Sequence, residues 1–316
     1  MTEAIAVFFP GQGSQSVGML DALAESYPSV KATFAEASEA CGIDVWRLAS
    51  AGPKAELDAT TNTQPVMLAA DVAIWRVWRA AGGPEPVVMA GHSLGEYSAL
   101  VASGAVSFAD GVRLAAERAR YMQDAVPPGA GAMAAVLGLE DEAVIALCQA
   151  QAGGEVLEAV NFNAPGQVVI AGAATAVQRA IGAAKSVGAK RAIILPVSVP
   201  SHCTLMQPAA ERLAERLEGI RLRLPQVPLL HNASVSSAQD EAELRQLLVR
   251  QLVEPVRWVA TIKAVAAAGV SFAIECGPGQ VLTGLNKRIH DQLTTLPIND
   301  PASLESALEA LHHAQG

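Results

Sequence analysis

Hydrophobic and polar positions alternate along this chain in two rhythms. Residues 4–9 and 86–90 form short runs that are apolar nearly without interruption, as expected of strands buried on both faces. Between such runs lie alanine-rich stretches with the recurrence of helices. Residues 64–81 predict one helix and 110–125 another, the latter ended by Pro127-Pro128-Gly129. A third continues from Tyr97 to Ser103 after a tight turn. Strands alternating with helices predict an α/β fold with a mainly parallel sheet.

The Pro-Pro-Gly punctuation opens a stretch of different order. Strand-like residues 132–137 precede a helix at 141–150. Two strands at 156–162 and 167–171 are joined by a turn at Ala164-Pro165-Gly166. A helix at 174–187 and a strand at 191–195 follow. The order β-α-β-β-α-β is the ferredoxin-like pattern. The expected organisation is a larger α/β domain of residues 1–127 and 197–316, interrupted by an inserted ferredoxin-like subdomain of residues 128–196. After the insertion, 205–217 and 281–289 read as helices, and 227–231 and 272–275 as strands.

Composition narrows the class. The chain has 316 residues, 51% hydrophobic and 17% charged, which excludes intrinsic disorder. Its net charge of −9 argues against nucleic acid as a partner. No apolar stretch approaches the ~18 residues of a membrane helix. Met1-Thr2-Glu3 carries no basic residue, and the apolar run after it is too short for a signal peptide. The expectation is a soluble, cytoplasmic protein that binds no membrane. Cys41, Cys148, Cys203 and Cys276 form no CxxC pair and read as separate buried thiols. The histidines lack metal-ligand spacing, so no metal is expected, and the adjacent His312 and His313 read as part of a mobile C-terminal tail.

Gly91-His92-Ser93-Leu94-Gly95 matches G-x-S-x-G. The pentapeptide alone is common, but this one follows a buried strand and precedes a helix, the setting of a nucleophile elbow. Flanking glycines remove side chains that would clash in so tight a turn, and the helix N-terminus favours developing negative charge at Ser93. The competing reading is a serine N-cap after a glycine turn. A serine nucleophile needs a base. His202 follows an extended run at residues 193–199, read as ending at the C-terminal edge of a sheet, where α/β sites gather. The carboxylate that usually orients such a histidine is not evident, which counts against a standard esterase; a main-chain carbonyl can serve instead. The loop Phe9-Pro10-Gly11-Gln12-Gly13-Ser14-Gln15 fits neither a dinucleotide fingerprint nor a P-loop. At a strand end it can supply a second oxyanion donor from Gln12, beside the N–H of Leu94.

Within 110–125, Arg113, Glu117, Arg120 and Asp124 recur at spacings of four, three and four, one charged stripe of alternating sign suited to solvent. Arg118 lies about 130° from that stripe, among apolar residues. A lone buried charge is costly, so it should face either a structural carboxylate or an anionic ligand, and its planar fork suits a carboxylate.

Taken together these segments resemble the malonyl-CoA:acyl carrier protein transacylase family over nearly the whole chain. The opening loop at 9–15, Gly91-His92-Ser93-Leu94-Gly95-Glu96-Tyr97, Arg118 in its helix, Asn161-Phe162-Asn163-Ala164-Pro165-Gly166-Gln167, Pro200-Ser201-His202, the segment around Gln251 and Gly277-Pro278-Gly279 carry the resemblance, in order. It implies a serine-hydrolase-like α/β core with a ferredoxin-like insert. It also implies malonyl transfer from malonyl-CoA to the phosphopantetheine thiol of acyl carrier protein, by a ping-pong route and without a cofactor. In that scheme Ser93 is the nucleophile, His202 the base, and the N–H groups of Gln12 and Leu94 the oxyanion hole. Arg118 binds the malonyl carboxylate, and Gln251 orients the histidine through its carbonyl. A serine thioesterase shares the elbow and base, and a non-catalytic homologue shares the fold. The motifs do not separate fatty acid synthesis from polyketide or malonate decarboxylase systems. Carrier proteins are acidic, so docking on this acidic chain calls for local basic residues, with Lys185, Lys190, Arg191, Lys287 and Arg288 as candidates.

Overall fold

The first apolar run becomes β1 (Ile5–Phe9), buried at every position, in a computed structural model that describes residues 4–197 and 199–314. Helices α1 (Asp21–Ser26), α2 (Ser29–Cys41), α3 (Val45–Ala51), α4 (Lys54–Leu57) and the long α5 (Thr60–Ala80) follow. β2 (Val88–Gly91) leads through a sharp turn into α6 (Gly95–Ala102) and α7 (Phe108–Asp124). Next come β3 (Gly131–Leu137), α8 (Asp141–Gln151), β4 (Leu157–Ala164), β5 (Gln167–Ala173), α9 (Ala174–Ala184) and β6 (Arg191–Ile194). The chain returns through α10 (Gln207–Glu218), β7 (Leu229–Leu230), α11 (Glu241–Arg250), α12 (Trp258–Ala267), β8 (Phe272–Cys276), α13 (Val281–Ile289), β9 (Thr294–Ile298) and α14 (Pro301–Ala314).

Two sheets result. The larger has the order β7-β2-β1-β8-β9, and all its pairings are parallel. Its central strand shows why an uninterrupted apolar run is needed. Side chains alternate across a strand: Ile5, Val7 and Phe9 enter the core that includes α5, while Ala6 and Phe8 enter the opposite core with Trp258 and Ile262 of α12. The smaller sheet has the order β4-β5-β3-β6 and is antiparallel throughout. One of its faces packs on α8 and α9. The other presents Met133, Val160, Val169 and Ala171 to Cys203, next to His202 in the returning chain. The second sheet thus forms one wall against the loop that carries the histidine.

Backbone bonds also tie the small sheet to the segment ahead of α12. Val256 N–H donates to the Val160 carbonyl at 2.8 Å, and Phe162 N–H donates to the Val256 carbonyl at 3.0 Å. β4 is irregular between Ala159 and Asn161 in its pairing with β5, which frees these groups for Val256.

Three expectations change. The extended run before His202 is not a strand of the parallel sheet: β6 stops at Ile194 and belongs to the small antiparallel sheet. Pro196 and Pro200 have no N–H to offer a ladder, so residues 195–197 and 199–200 belong to no strand. His312 and His313 lie in α14 rather than in an unstructured tail. The charged stripe of α7 is only partly solvated, because Glu117 pairs with Arg216 at 2.6 Å and Asp124 with Arg212 at 2.9 Å, both on α10. No helix among the described residues is long and apolar enough to cross a membrane.

Candidate active site

Parallel strands deliver their following loops to one sheet edge, and here β1 and β2 are neighbours with Phe9 opposite Gly91. The Gln12 loop and the serine turn therefore leave the sheet side by side. The turn leaves no room for side chains at its glycines. A Cβ on Gly91 would lie 1.9 Å from the Gly95 carbonyl carbon, and one on Gly95 would lie 2.0 Å from the Phe9 oxygen. Ser93 itself sits at φ +53°, a left-handed conformation that costs a non-glycine residue on the order of 1–3 kcal/mol. The Gln251 side chain donates Nε2–H to the Ser93 carbonyl at 2.9 Å, and Ser93 N–H donates to Asn232 Oδ1 at 2.7 Å.

His202 also adopts a left-handed backbone, φ +66°, on the loop ahead of α10. Its Nδ1–H donates to the Gln251 main-chain carbonyl at 2.7 Å. That bond sets the tautomer, leaving Nε2 to accept from the Ser93 hydroxyl at 2.7 Å. Burial first, and the Arg118 charge second, push the imidazole pKa down to about 3, against the opposing pull of the Gln251 carbonyl. The neutral ring is thus the stable form at neutral pH, as a proton acceptor requires.

Arg118 is 1% exposed, on the inner face of α7. Its Nη1 donates to Gln64 Oε1 at 2.7 Å and its Nη2 to Gln251 Oε1 at 3.0 Å, with Ser93 Oγ 3.4 Å from Nη2. The guanidinium also lies 5.3 Å from the centre of the Tyr97 ring. Among the described residues no carboxylate is within ion-pair distance of it, and its Nε has no hydrogen-bond partner. Of the two readings open in the sequence, the structural ion pair is absent from the described residues. Burial draws the Arg118 pKa down, against the opposing pull of Tyr97 and Glu96.

Ser93, Arg118, His202 and Gln64 line a cavity of about 100 Å³ together with Gln12, Leu94, Met122 and Asn161. That is smaller than the ~150 Å³ void that admits benzene in an engineered protein core, so the enclosed part suits a small acyl group. The structure brings together all six residues singled out from the sequence: Gln12, Ser93, Leu94, Arg118, His202 and Gln251. Sequence reasoning missed Gln64, which holds one arm of the guanidinium from α5, and Asn232, which follows β7. His92 points away from Ser93 chemistry, its Nε2 2.8 Å from Asn163 Oδ1. Cys203 is buried, its thiol pushed up to about 12 by burial, so it is no rival nucleophile. No group of three or more His, Cys, Asp or Glu among the described residues is placed to hold a metal.

A serine on a strained strand-to-helix turn, bonded to a carbonyl-oriented imidazole, defines a site for covalent acyl transfer on an α/β scaffold. The chain belongs to the acyl transferase family, whose acyl transferase domain matches residues 7–304. It is 55% identical over 303 residues to the malonyl CoA-acyl carrier protein transacylase of Salmonella typhimurium, covering 96% of this chain and 98% of that one. The Bacillus subtilis protein of the same name is 42% identical over 308 residues, 97% of each chain. Among solved structures, the malonyl CoA-acyl carrier protein transacylase of Coxiella burnetii superposes with a TM-score of 0.97 at 48% identity, over 98% of both chains. A type II PKS acyl-carrier protein in complex with its malonyl-transacylase provides another match. It has a TM-score of 0.96 at 52% identity, over 98% of this chain and all of that one.

Proposed function

We propose that this chain is a malonyl-CoA:acyl carrier protein S-malonyltransferase, working through a malonyl-serine intermediate. Ser93 Oγ attacks the thioester carbonyl while its proton passes to His202 Nε2. The main-chain N–H groups of Gln12 and Leu94 receive the oxyanion; the N–H of Ser93 is already committed to Asn232. Collapse breaks the C–S bond, the coenzyme A sulfur takes the proton back from His202, and malonyl-Ser93 remains. The carrier's pantetheine thiol then attacks, giving its proton to His202, and Ser93 recovers it as the new thioester forms. Every step moves an acyl group or a proton, so malonyl-CoA enters as substrate and the scheme includes no cofactor.

The observation that carries this reading is Arg118, a buried guanidinium with no carboxylate among the described residues within ion-pair distance and with Ser93 Oγ 3.4 Å away. It pairs with the free carboxylate of the malonyl group, which a neutral acyl donor lacks. The division into a catalytic domain of residues 1–127 and 197–316 and an inserted subdomain of 128–196 is part of the same proposal. In it the insert closes the cavity from the side of Met133 and Asn161. The reading places the enzyme in the cytoplasm, where its free cysteines stay reduced, and makes its product the malonyl donor for fatty acid synthesis. A pulse of malonyl-CoA followed by peptide mass mapping tests it. The expected result is an adduct of about 86 mass units on the Ser93 peptide, discharged faster by carrier thiol than by water. An adduct elsewhere, or turnover without one, overturns the nucleophile; discharge to water alone makes the protein a hydrolase.

A further inference from the structure

Ser93 is held in its left-handed conformation by a side chain from far along the chain. Asn232 is 1% exposed, and its amide grips the turn on both sides of the serine. Its Oδ1 accepts from Ser93 N–H at 2.7 Å and its Nδ2–H donates to the Gly91 carbonyl at 2.6 Å. Neither grip survives rotation of the amide, because donor and acceptor would exchange places. Asn232 is in turn fixed by a second residue of the turn. Glu96, fully buried, accepts from Asn232 N–H with Oε2 at 2.9 Å and from His231 Nδ1–H with Oε1 at 2.7 Å. The loop closes on itself: the first turn of α6 holds the Asn232 backbone, and the Asn232 side chain holds the residues before α6.

We infer that Asn232, locked by Glu96 and His231, is a positioning residue for acyl transfer. It stabilises the strained serine conformer and removes the Ser93 N–H from the set of oxyanion donors, so that the hole is built from neighbouring N–H groups alone. Releasing the grip lets Ser93 relax toward an ordinary backbone conformation and lowers the fraction of enzyme with Oγ aimed at His202 Nε2. The inference rests on the functional reading above only for the natural acyl donor; the elbow geometry can be probed without it.

The experiment compares wild type with Asn232→Ala and Asn232→Asp. Active sites are titrated, and the rate of Ser93 acylation per active site is measured with malonyl-CoA and with a fluorophosphonate, a general serine probe. Asn232→Ala is expected to lose about 10- to 100-fold in that rate with both reagents, the span set by the strain it no longer offsets. The KM for malonyl-CoA should change by less than about threefold, since no substrate contact is lost. Asn232→Asp gives a readout that a purely structural role does not move. Its protonated acid can donate to the Gly91 carbonyl and accept from Ser93 N–H as the amide does, whereas its carboxylate can only accept and opposes the Gly91 oxygen. Burial beside Glu96 raises the pKa of the introduced acid. Acylation by this variant should therefore rise as the pH falls from about 8 to about 5, a range in which His202 stays neutral and wild type does not gain. Wild-type rates per site in Asn232→Ala, a loss confined to KM or to the titre of active sites, or an Asn232→Asp profile parallel to wild type would each overturn the assignment. Should Asn232→Ala not fold, the Asn232→Asp profile decides. Failure of malonyl-CoA to acylate wild type, with the fluorophosphonate results as expected, would remove the functional reading and leave the positioning role intact.

Discussion

Replacing Arg118 by alanine tests the assignment of substrate most directly. The guanidinium is buried, held by two glutamine oxygens rather than by a carboxylate, and one of its arms reaches the serine hydroxyl. If the malonyl carboxylate completes this arrangement, the variant leaves that carboxylate unpaired in an enclosed cavity. Removing one partner of a buried ion pair costs about 3–5 kcal/mol. Expressed in the transition state, at 1.36 kcal/mol per decade, that is roughly 160- to 5000-fold in rate. Acetyl-CoA has no carboxylate, so its transfer should hold steady or rise, because it no longer leaves a bare cation beside it. The assay is transfer to carrier protein with malonyl- and acetyl-CoA in parallel, reported as the ratio of kcat/KM values. Arg118→Met serves beside Arg118→Ala to separate lost charge from lost volume. A second effect follows from the same charge. Arg118 is one of the groups that depress the His202 pKa, so its removal must raise that pKa. The acid limb of residual acetyl transfer should then move to higher pH. An unchanged malonyl-to-acetyl ratio in both variants would refute the reasoning.

Four further outcomes are expected. In wild type the pH profile of kcat/KM should show no inflection near the usual histidine value of about 6.5, because the folded imidazole titrates at about 3; an inflection there would contradict the buried, neutral base. The same depression sets a stability trend. The unfolded chain binds a proton at His202 below about pH 6.5 while the folded chain does not, so this residue's contribution is intact above that pH and is lost as pH falls toward 3, readable as falling Tm in acid. Gly95→Ala places a Cβ 2.0 Å from the Phe9 carbonyl oxygen, a backbone clash of about 3 kcal/mol or more. Calorimetry should show a Tm lower by on the order of 5–10 °C, and a wild-type Tm would argue against so tight a turn. Lys185, Lys190, Arg191, Lys287 and Arg288 are all exposed; reversing them in pairs should raise the KM for carrier protein, with steeper salt dependence lost, and leave the KM for malonyl-CoA unchanged. Unaltered transfer to carrier protein would place docking elsewhere.

How much of this was legible in the sequence depended on how local each signal is. The elbow lies within five residues, and Gly91 is demanded by a contact four residues away, although Gly95 answers to Phe9 on the neighbouring strand. Arg118 was legible because helical periodicity separates it from the charged stripe of its own helix. The inserted sheet was legible from element order, since β-α-β-β-α-β dictates its topology. His202 was found for a partly mistaken reason: its loop leaves the small sheet after Ile194, not the parallel sheet. β9 escaped because Pro297 interrupts an edge strand. Asn232 and Gln64 carried no signal. They are single polar residues whose roles arise when α5, the segment after β7 and the elbow converge, and Asn232 lies 139 positions from the serine it holds.

The neutral group behind the imidazole has a wider consequence. Serine enzymes that orient their histidine with an aspartate carry a permanent anion at the heart of the site. Here the same duty falls to the peptide oxygen of Gln251, whose own amide oxygen touches Arg118. An acidic side chain in that place would seize the guanidinium for itself and repel an incoming dicarboxylate thioester. By delegating orientation to an uncharged dipole, the protein leaves Arg118 unspent, and in the proposed reaction an acid-bearing substrate becomes the missing counter-ion.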